Sequence, residues 1–179
     1  MASVTRLTID DFERLPDEMA ENRELVDGEL VDVSGNNFEH NLIKIWLAAQ
    51  LSLFVRERSL GTVVSEQEYD FDGNAHGPDV TFFGPAKRSL VDGRKRVQRF
   101  VPDLAVEIVS PNDVWTKLMG KKDRYRRSGT AEVWIISPDS REVYVYSKQG
   151  DRILREDAEL TSELLPGFQV IVGSLFQIE

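Results

Sequence analysis

The stretch VPDLAVEIVSPND, residues 101–113, sets a carboxylate where a core residue belongs. Leu104, Ala105, Val106, Ile108 and Val109 form an apolar, partly β-branched run between Pro102 and Pro111, the pattern of a strand covered on both faces. Glu107 interrupts that run, and an unpaired buried carboxylate costs several kcal/mol. A partner is therefore required. A second Pro-Asp pair, Pro78-Asp79, opens the run VTFF just as Pro102-Asp103 opens LAVEIV. Each pair alone reads as a turn at a strand start. Together, an aspartate at one strand start and a glutamate inside the next strand can converge on one hard divalent cation, whose charge offsets the burial of both. Magnesium suits such a pair, because it takes one or two carboxylates and fills its shell with water and substrate phosphate. The chemistry open to that arrangement is phosphodiester hydrolysis by a metal-activated water, with a nearby lysine to orient or deprotonate the water and to offset developing negative charge.

The composition narrows the setting. The chain has 179 residues, enough for one domain around one sizeable core, and the expectation is a single domain over 1–179. It has no cysteine, which excludes disulfides and thiolate metal sites and leaves oxygen or imidazole ligands. MASVTRLTIDDFERLP lacks a signal-type apolar core, and no stretch approaches the roughly 20 apolar residues of a membrane span; a soluble, cytoplasmic protein with no membrane partner is expected. The net charge of -9 argues against a polyanionic partner, but its distribution is uneven. Residues 1–80 hold 17 acidic and 6 basic side chains, whereas residues 81–127 hold 5 acidic and 12 basic ones. The basic segments KRSLVDGRKRVQR and KKDRYRR thus flank Glu107 on both sides.

The elements that must position these groups follow from pattern. TIDDFERLPDEM reads as an acidic helix capped by Thr8, within a leader running from Ser3 to Met19. RELVDGELVDVS alternates around an Asp27-Gly28 turn and predicts a hairpin. Residues 38–57 predict a long helix whose apolar face carries Leu42, Ile45, Trp46, Ala49 and Leu53. TVVSEQEYDFDG and PDVTFFG predict short strands, and residues 87–99 a basic loop or hairpin extension. SPNDVWTKLMGKKDRYRRSG predicts a helix capped by Ser110 or Asn112 and ended at Gly129. AEVWIIS and REVYVYSK predict a hairpin about Pro138 and Asp139, and ELLPGFQVIVGSLF a strand with a terminal turn. The fold class is α/β or α+β, with a mixed sheet whose central strands lie under the two long helices.

The run of PDV, LAVEIVSPND, a helix bearing KKDRY, and GTAEVWIISPDSREVYVY resembles the Uma2 family, a restriction-endonuclease-like branch of the PD-(D/E)XK nuclease superfamily. The resemblance extends from RELVDGELV through His40 to LLPGF. It implies a mixed-sheet core flanked by helices with extra hairpins, a magnesium-dependent endonuclease in which manganese can substitute, DNA as substrate, and a homodimer. Exposed aromatics in WIIS and VYVY would suit the dimer contact. In the general superfamily pattern the lysine lies two residues after the glutamate, a position held here by Val109. In the family resembled, the lysine comes from the following helix, four residues before a tyrosine, which places it at Lys121 ahead of Tyr125.

Helical spacing agrees with that placement, because Lys117, Lys121 and Tyr125 stand at i, i+4 and i+8 on one face. Lys122 points about 100° away. The candidate site is therefore Asp79 and Glu107 as metal ligands with Lys121 as the catalytic lysine. Asp103 shares strand parity with Glu107, yet its place beside Pro102 fits a turn, and it stays outside the site. Glu24, in the segment that the resemblance covers, could be a further metal carboxylate or a supporting one. His40 could contact phosphate or the cluster, and His76 reads as structural or exposed. Two other functions use the same residues differently: a nucleic-acid-binding module that has lost catalysis, and hydrolysis of a non-nucleic substrate by paired carboxylates. The second makes no use of the basic segments, and fold analogy alone does not establish restriction as the role.

Overall fold

The computed structural model describes residues 6–33 and 35–177. In chain order it runs through α1 (Ile9–Glu13), α2 (Asp17–Ala20), β1 (Arg23–Val26), β2 (Glu29–Asp32), α3 (Phe38–Glu57), β3 (Thr62–Ser65), β4 (Glu68–Asp70), β5 (Ala75–His76) and β6 (Val80–Phe83). A 3-10 turn over Pro85–Leu90 leads to β7 (Val97–Gln98), β8 (Leu104–Ile108), α4 (Trp115–Arg127), β9 (Glu132–Ser137), β10 (Glu142–Ser147), β11 (Gly150–Leu154), β12 (Glu159–Thr161) and β13 (Gln169–Ile171), and a 3-10 turn over Val172–Phe176 follows. The class is the expected one, mixed sheets flanked by helices.

Local chemistry sets the first elements. Thr8 closes a capping box, its hydroxyl accepting from Asp11 N at 3.2 Å while the Asp11 carboxylate accepts from Thr8 N at 3.0 Å. The single acidic helix expected here is two short ones, because Pro16 cannot continue a helix and stands instead at the cap of α2. Ser3 to Thr5 of the expected leader lie outside the described residues. Asp27 and Gly28 both take positive φ, 50° and 82°, the geometry that matches a two-residue turn to strand twist.

Two sheets pack together. The larger has the order β11-β10-β9-β8-β6-β3, and in it only β8 and β9 run parallel; α4 is the crossover that joins them. The smaller has the order β2-β1-β5-β4-β7. Alternation divides the larger sheet between two cores. Val80, Phe82, Leu104, Val106 and Ile108 face α3, joining Ile43, Leu47, Leu51 and Val55. Phe83, Ala105, Val133 and Ile135 face the other way, toward Leu118 and Tyr125 of α4 and Tyr69 and Phe71 at the smaller sheet.

Three expectations need correction. The buried stripe of α3 is His40, Ile43, Leu47, Leu51 and Val55, whereas Ile45, Ala49 and Leu53 are exposed. The helix is apolar on both sides, so spacing alone offers two faces, and the sheet selects the one that interdigitates with β6 and β8. Neither Ser110 nor Asn112 caps α4; the helix starts at Trp115, after Val114, with no side-chain cap. Ser110 N is held at 2.7 Å by the Asp113 carboxylate in a turn of its own, which delays the start. The aromatics of WIIS and VYVY are not an exposed surface. Trp134 is fully buried and stacks on Phe168, while Tyr144 and Tyr146 are half-buried, Tyr144 against Trp115 and Tyr146 beneath the Lys122 ammonium.

The sheet-facing side of α3 carries the larger core. Leu47→Ala should cost about 2–5 kcal/mol of unfolding free energy, the usual range for truncating a buried leucine. Urea denaturation followed by circular dichroism measures it, and a loss below about 1 kcal/mol would contradict the assignment of the buried face.

Candidate functional site

Strand pairing brings the two carboxylates together. β6 and β8 are antiparallel with Val80 opposite Val106, so one further step sets Asp79 opposite Glu107. Because Val80 and Val106 both face α3, their neighbours Asp79 and Glu107 both project to the α4 side. Asp79 Oδ2 accepts from Ile108 N at 2.7 Å, and Asp79 Oδ1 lies 2.9 Å from His40 Nε2. His40 reaches past the sheet end from the first turn of α3 and is itself fixed by Ser110 Oγ, 3.0 Å from its Nδ1.

Glu107 is buried, and its Oε1 accepts from the Tyr125 hydroxyl at 2.6 Å. Burial pushes its carboxyl up to about 8; Lys121 opposes the shift, and the carboxylates of Asp79 and Glu24 add to it. The Tyr125 phenol is pushed well above its ordinary value by burial and by Glu107, so it stays a neutral donor. Lys121 approaches from α4, and its Nζ donates to Glu24 Oε1 at 2.8 Å, a bond across the interface with the smaller sheet. Burial alone would depress its ammonium, but Glu107 and Glu24 outweigh it and hold the proton on well above the ordinary lysine range.

Glu24 completes the ring. Burial raises its carboxyl, yet His76 and Lys121 bring it down to about 2. Lys121 is the firmer of the two partners. His76 Nδ1 lies 3.0 Å from Glu24 Oε2 but off the axis of a hydrogen bond, and neither ring nitrogen has a well-formed bond among the described residues. His76 is 1% exposed in β5, packed against Phe71 and Tyr125, so the alternative of an exposed loop histidine is overturned. Burial lowers its basicity, and Glu24 only partly restores it.

The remaining candidates separate cleanly. Lys117 lines the same cleft as Lys121, whereas Lys122 lies over the Tyr146 ring at 4.6 Å. Asp103 stays out of the cluster; it accepts from Gly84 N at 2.7 Å and from Lys87 at 2.6 Å, holding the turn after β6. Tyr125, Ser110 and the His76–Glu24 contact were not singled out as functional from sequence. Only Tyr125 left a signal, its helical register with Lys121.

The site opens into a cleft of about 800 Å³. Among the described residues seven carboxylates and four lysine or arginine side chains line it, so it is short of positive charge. Of the basic run 87–99 Arg96 alone lines the cleft, paired there with Glu68, while Lys95 binds Glu13 and Arg99 binds Asp10, Glu13 and Asp70. Among the described residues no three His, Cys, Asp or Glu side chains form a closed metal cage. Asp79 and Glu107 fit a different demand, that of a hard cation which takes two carboxylates and leaves its other positions to water and substrate. Their oxygen donors, shared strand face and open cleft suit magnesium.

No helix among the described residues is long and apolar enough to cross a membrane. Comparison with the curated proteins finds no match. A solved structure described as a putative nuclease belonging to DUF820 from Anabaena variabilis is similar to this chain, with a TM-score of 0.83 and 22% identity over 95% of this chain and 97% of that one. At that identity the likeness speaks for the fold. The model of the Uma2 family, described as "Putative restriction endonuclease", matches residues 9–175, which spans every element that builds the site. The chain therefore belongs to the Uma2 family.

Proposed function

We propose that this protein is a magnesium-dependent endonuclease that hydrolyses DNA phosphodiester bonds, with Asp79 and Glu107 as metal ligands and Lys121 as the catalytic lysine. The observation that carries the reading is the convergence of Asp79 and Glu107 from adjacent strands beside Lys121, in a cleft with more carboxylates than cations. Bound there, magnesium, or manganese in its place, would supply the Lewis acidity that phosphodiester hydrolysis needs. The chain's own residues do the rest. Ile108 N and His40 fix the Asp79 carboxylate, and Tyr125 fixes Glu107. Lys121 holds its proton and so presents a cation, suited to orienting water and offsetting charge at the attacked phosphate. A module that only bound nucleic acid would gain from a cationic cleft, and this cleft is the reverse. That contrast favours catalysis over the binding-only alternative.

Glu24 is the anchor for Lys121 in this reading. Its lowered carboxyl carries a sign: a group held down in the folded state contributes stability that is present above the unfolded value, 4.5, and is lost as pH falls toward about 2. Glu24→Gln should cost on the order of 3 kcal/mol at neutral pH and flatten the acid limb of the stability curve over that window. Urea midpoints against pH for both proteins give the comparison, and an unchanged acid limb would remove Glu24 from the ion-pair role.

The function is tested by incubating purified protein with supercoiled plasmid, linear duplex, branched and single-stranded DNA, in magnesium, manganese or chelator. Cleavage with either metal and none with chelator is expected. Lys121→Ala should lose roughly 10²–10⁴ in single-turnover rate at saturating DNA, with metal affinity nearly unchanged. Glu107→Ala should weaken metal binding itself by calorimetry. Cleavage that survives chelator, or a Lys122→Ala variant that is dead beside an active Lys121→Ala, would refute these assignments.

A further inference from the structure

The cleft has an aromatic lip. Val114, at the cap of α4, and Lys117, Leu118 and Lys121 within the helix line the cleft, and Trp115 stands beside that wall in the first turn. Val114 and Trp115 are 51% and 44% exposed, two large apolar side chains in succession left in contact with water. The indole is braced, because the Tyr144 ring of β10 meets it at a centroid distance of 5.1 Å and an interplanar angle of 64°. Tyr144 is fixed in turn, its hydroxyl donating to Glu142 Oε2 at 2.9 Å. Directly opposite Tyr144 on β11, and so on the same face of the sheet, is Ile153, 62% exposed. Val114, Trp115, Tyr144 and Ile153 thus form a row that begins in the cleft and ends on the edge strand of the larger sheet.

We propose that this row is a stacking track for unpaired bases of the strand whose backbone enters the cleft, and that the substrate class is DNA with single-stranded nucleotides beside the attacked phosphate. The inference rests on the nuclease reading for its substrate and on Trp115 for its selectivity. The face of a base is hidden in a duplex by its neighbours in the stack and is open only where the strand is unpaired, so an exposed indole held at the mouth of the cleft selects unpaired nucleotides. The charge balance points the same way. Among the described residues seven carboxylates against four cations give the cleft walls little hold on a phosphate backbone, so grip has to come from contacts that carry no charge, and every base offers a face to stack. Along α4 the balance reverses: six of its seven charged residues are lysine or arginine, and exposed Lys117, two positions after Trp115, makes no ion pair among the described residues. A protein partner would need a broader apolar patch, whereas Trp115 is bordered in the chain by exposed Asn112, Thr116 and Lys117.

The experiment measures binding of the full chain, with chelator present, to an oligo-dT single strand, a blunt duplex and the same duplex with an oligo-dT overhang, by fluorescence anisotropy of the labelled DNA. Circular dichroism checks folding. The single strand and the overhang should bind more tightly than the blunt duplex and should quench tryptophan emission, since Trp115 is exposed whereas Trp134 is buried and Trp46 half-buried. Trp115→Ala should weaken single-strand binding by roughly 5- to 150-fold and blunt-duplex binding by less, whereas Trp115→Phe should keep most of the affinity and lose the quench. Equal losses on both DNA forms, a Trp115→Ala that binds the single strand like wild type, or a wild type that binds no single strand, as expected if the row docks a protein, would overturn the track. Failure of the nuclease reading has a different signature: binding and quenching intact, with no cleavage in magnesium or manganese, would leave the track standing on a protein that only binds DNA.

Discussion

A carboxylate inside an apolar strand is the constraint from which the rest of the site follows. Glu107 lies between Val106 and Ile108 in the middle of the larger sheet, where neutral burial would be cheap and an ionised group is expensive. Its surroundings are arranged as a response. α4 lies over that face of the sheet and delivers two groups one turn apart, a phenol that donates to Glu107 and an ammonium that faces it. The ammonium needs its own counter-charge, and the smaller sheet brings Glu24 to it. The packing of the two sheets is thereby tied to the electrostatics of one side chain. What remains is an imbalance, since burial, with Asp79 and Glu24 adding to it, leaves the Glu107 carboxyl raised in spite of Lys121.

The charge segregation along the sequence has a structural outcome different from its first appearance. The acidic N-terminal third and the basic middle third meet each other. Glu13 of α1 takes both Lys95 and Arg99, and Glu68 of β4 takes Arg96 at 2.8 Å. Arg96 also donates to the Ala20 carbonyl and covers the Phe12 ring, so one guanidinium joins α1, α2 and the smaller sheet. The basic segment works as an internal clasp. Ion pairs of this partly exposed kind are individually weak, and their arrangement around one segment serves to orient it more than to stabilise it.

Where the sequence carried short-range information, the reading was direct. The Asp27-Gly28 turn, the bounds of α3 and the convergence of Asp79 with Glu107 all rest on neighbours or on strand parity. Lys121 and Lys122 were separable because a helix assigns adjacent residues to different faces. Where two solutions were equally apolar, pattern could not choose: α3 has a leucine- and isoleucine-bearing stripe on each side, and only the shape of the sheet decides which is buried. The same limit hid the burial of the aromatics in WIIS and VYVY. Partners such as Glu24 for Lys121 lie in another sheet, 97 positions away, and no local spacing encodes that distance. His76 looked like a loop residue because its strand is two residues long and flanked by glycines.

The parallel pairing of β8 and β9 reaches beyond topology. A parallel neighbour obliges the chain to leave the sheet and return, and α4 is that return path. A lysine two residues after the glutamate would be placed by the pleat alone. Here the lysine comes fourteen residues later, so its aim is set by the length of the connector over residues 109–114 and by the rotation of the helix. One residue added to that connector would turn α4 by about 100° unless the loop absorbed it, swinging Lys121 away and bringing a different side chain to the glutamate. The connector is thus the gauge of the site: it can lengthen only in ways that preserve helical phase, even though none of its residues need touch the reacting atoms.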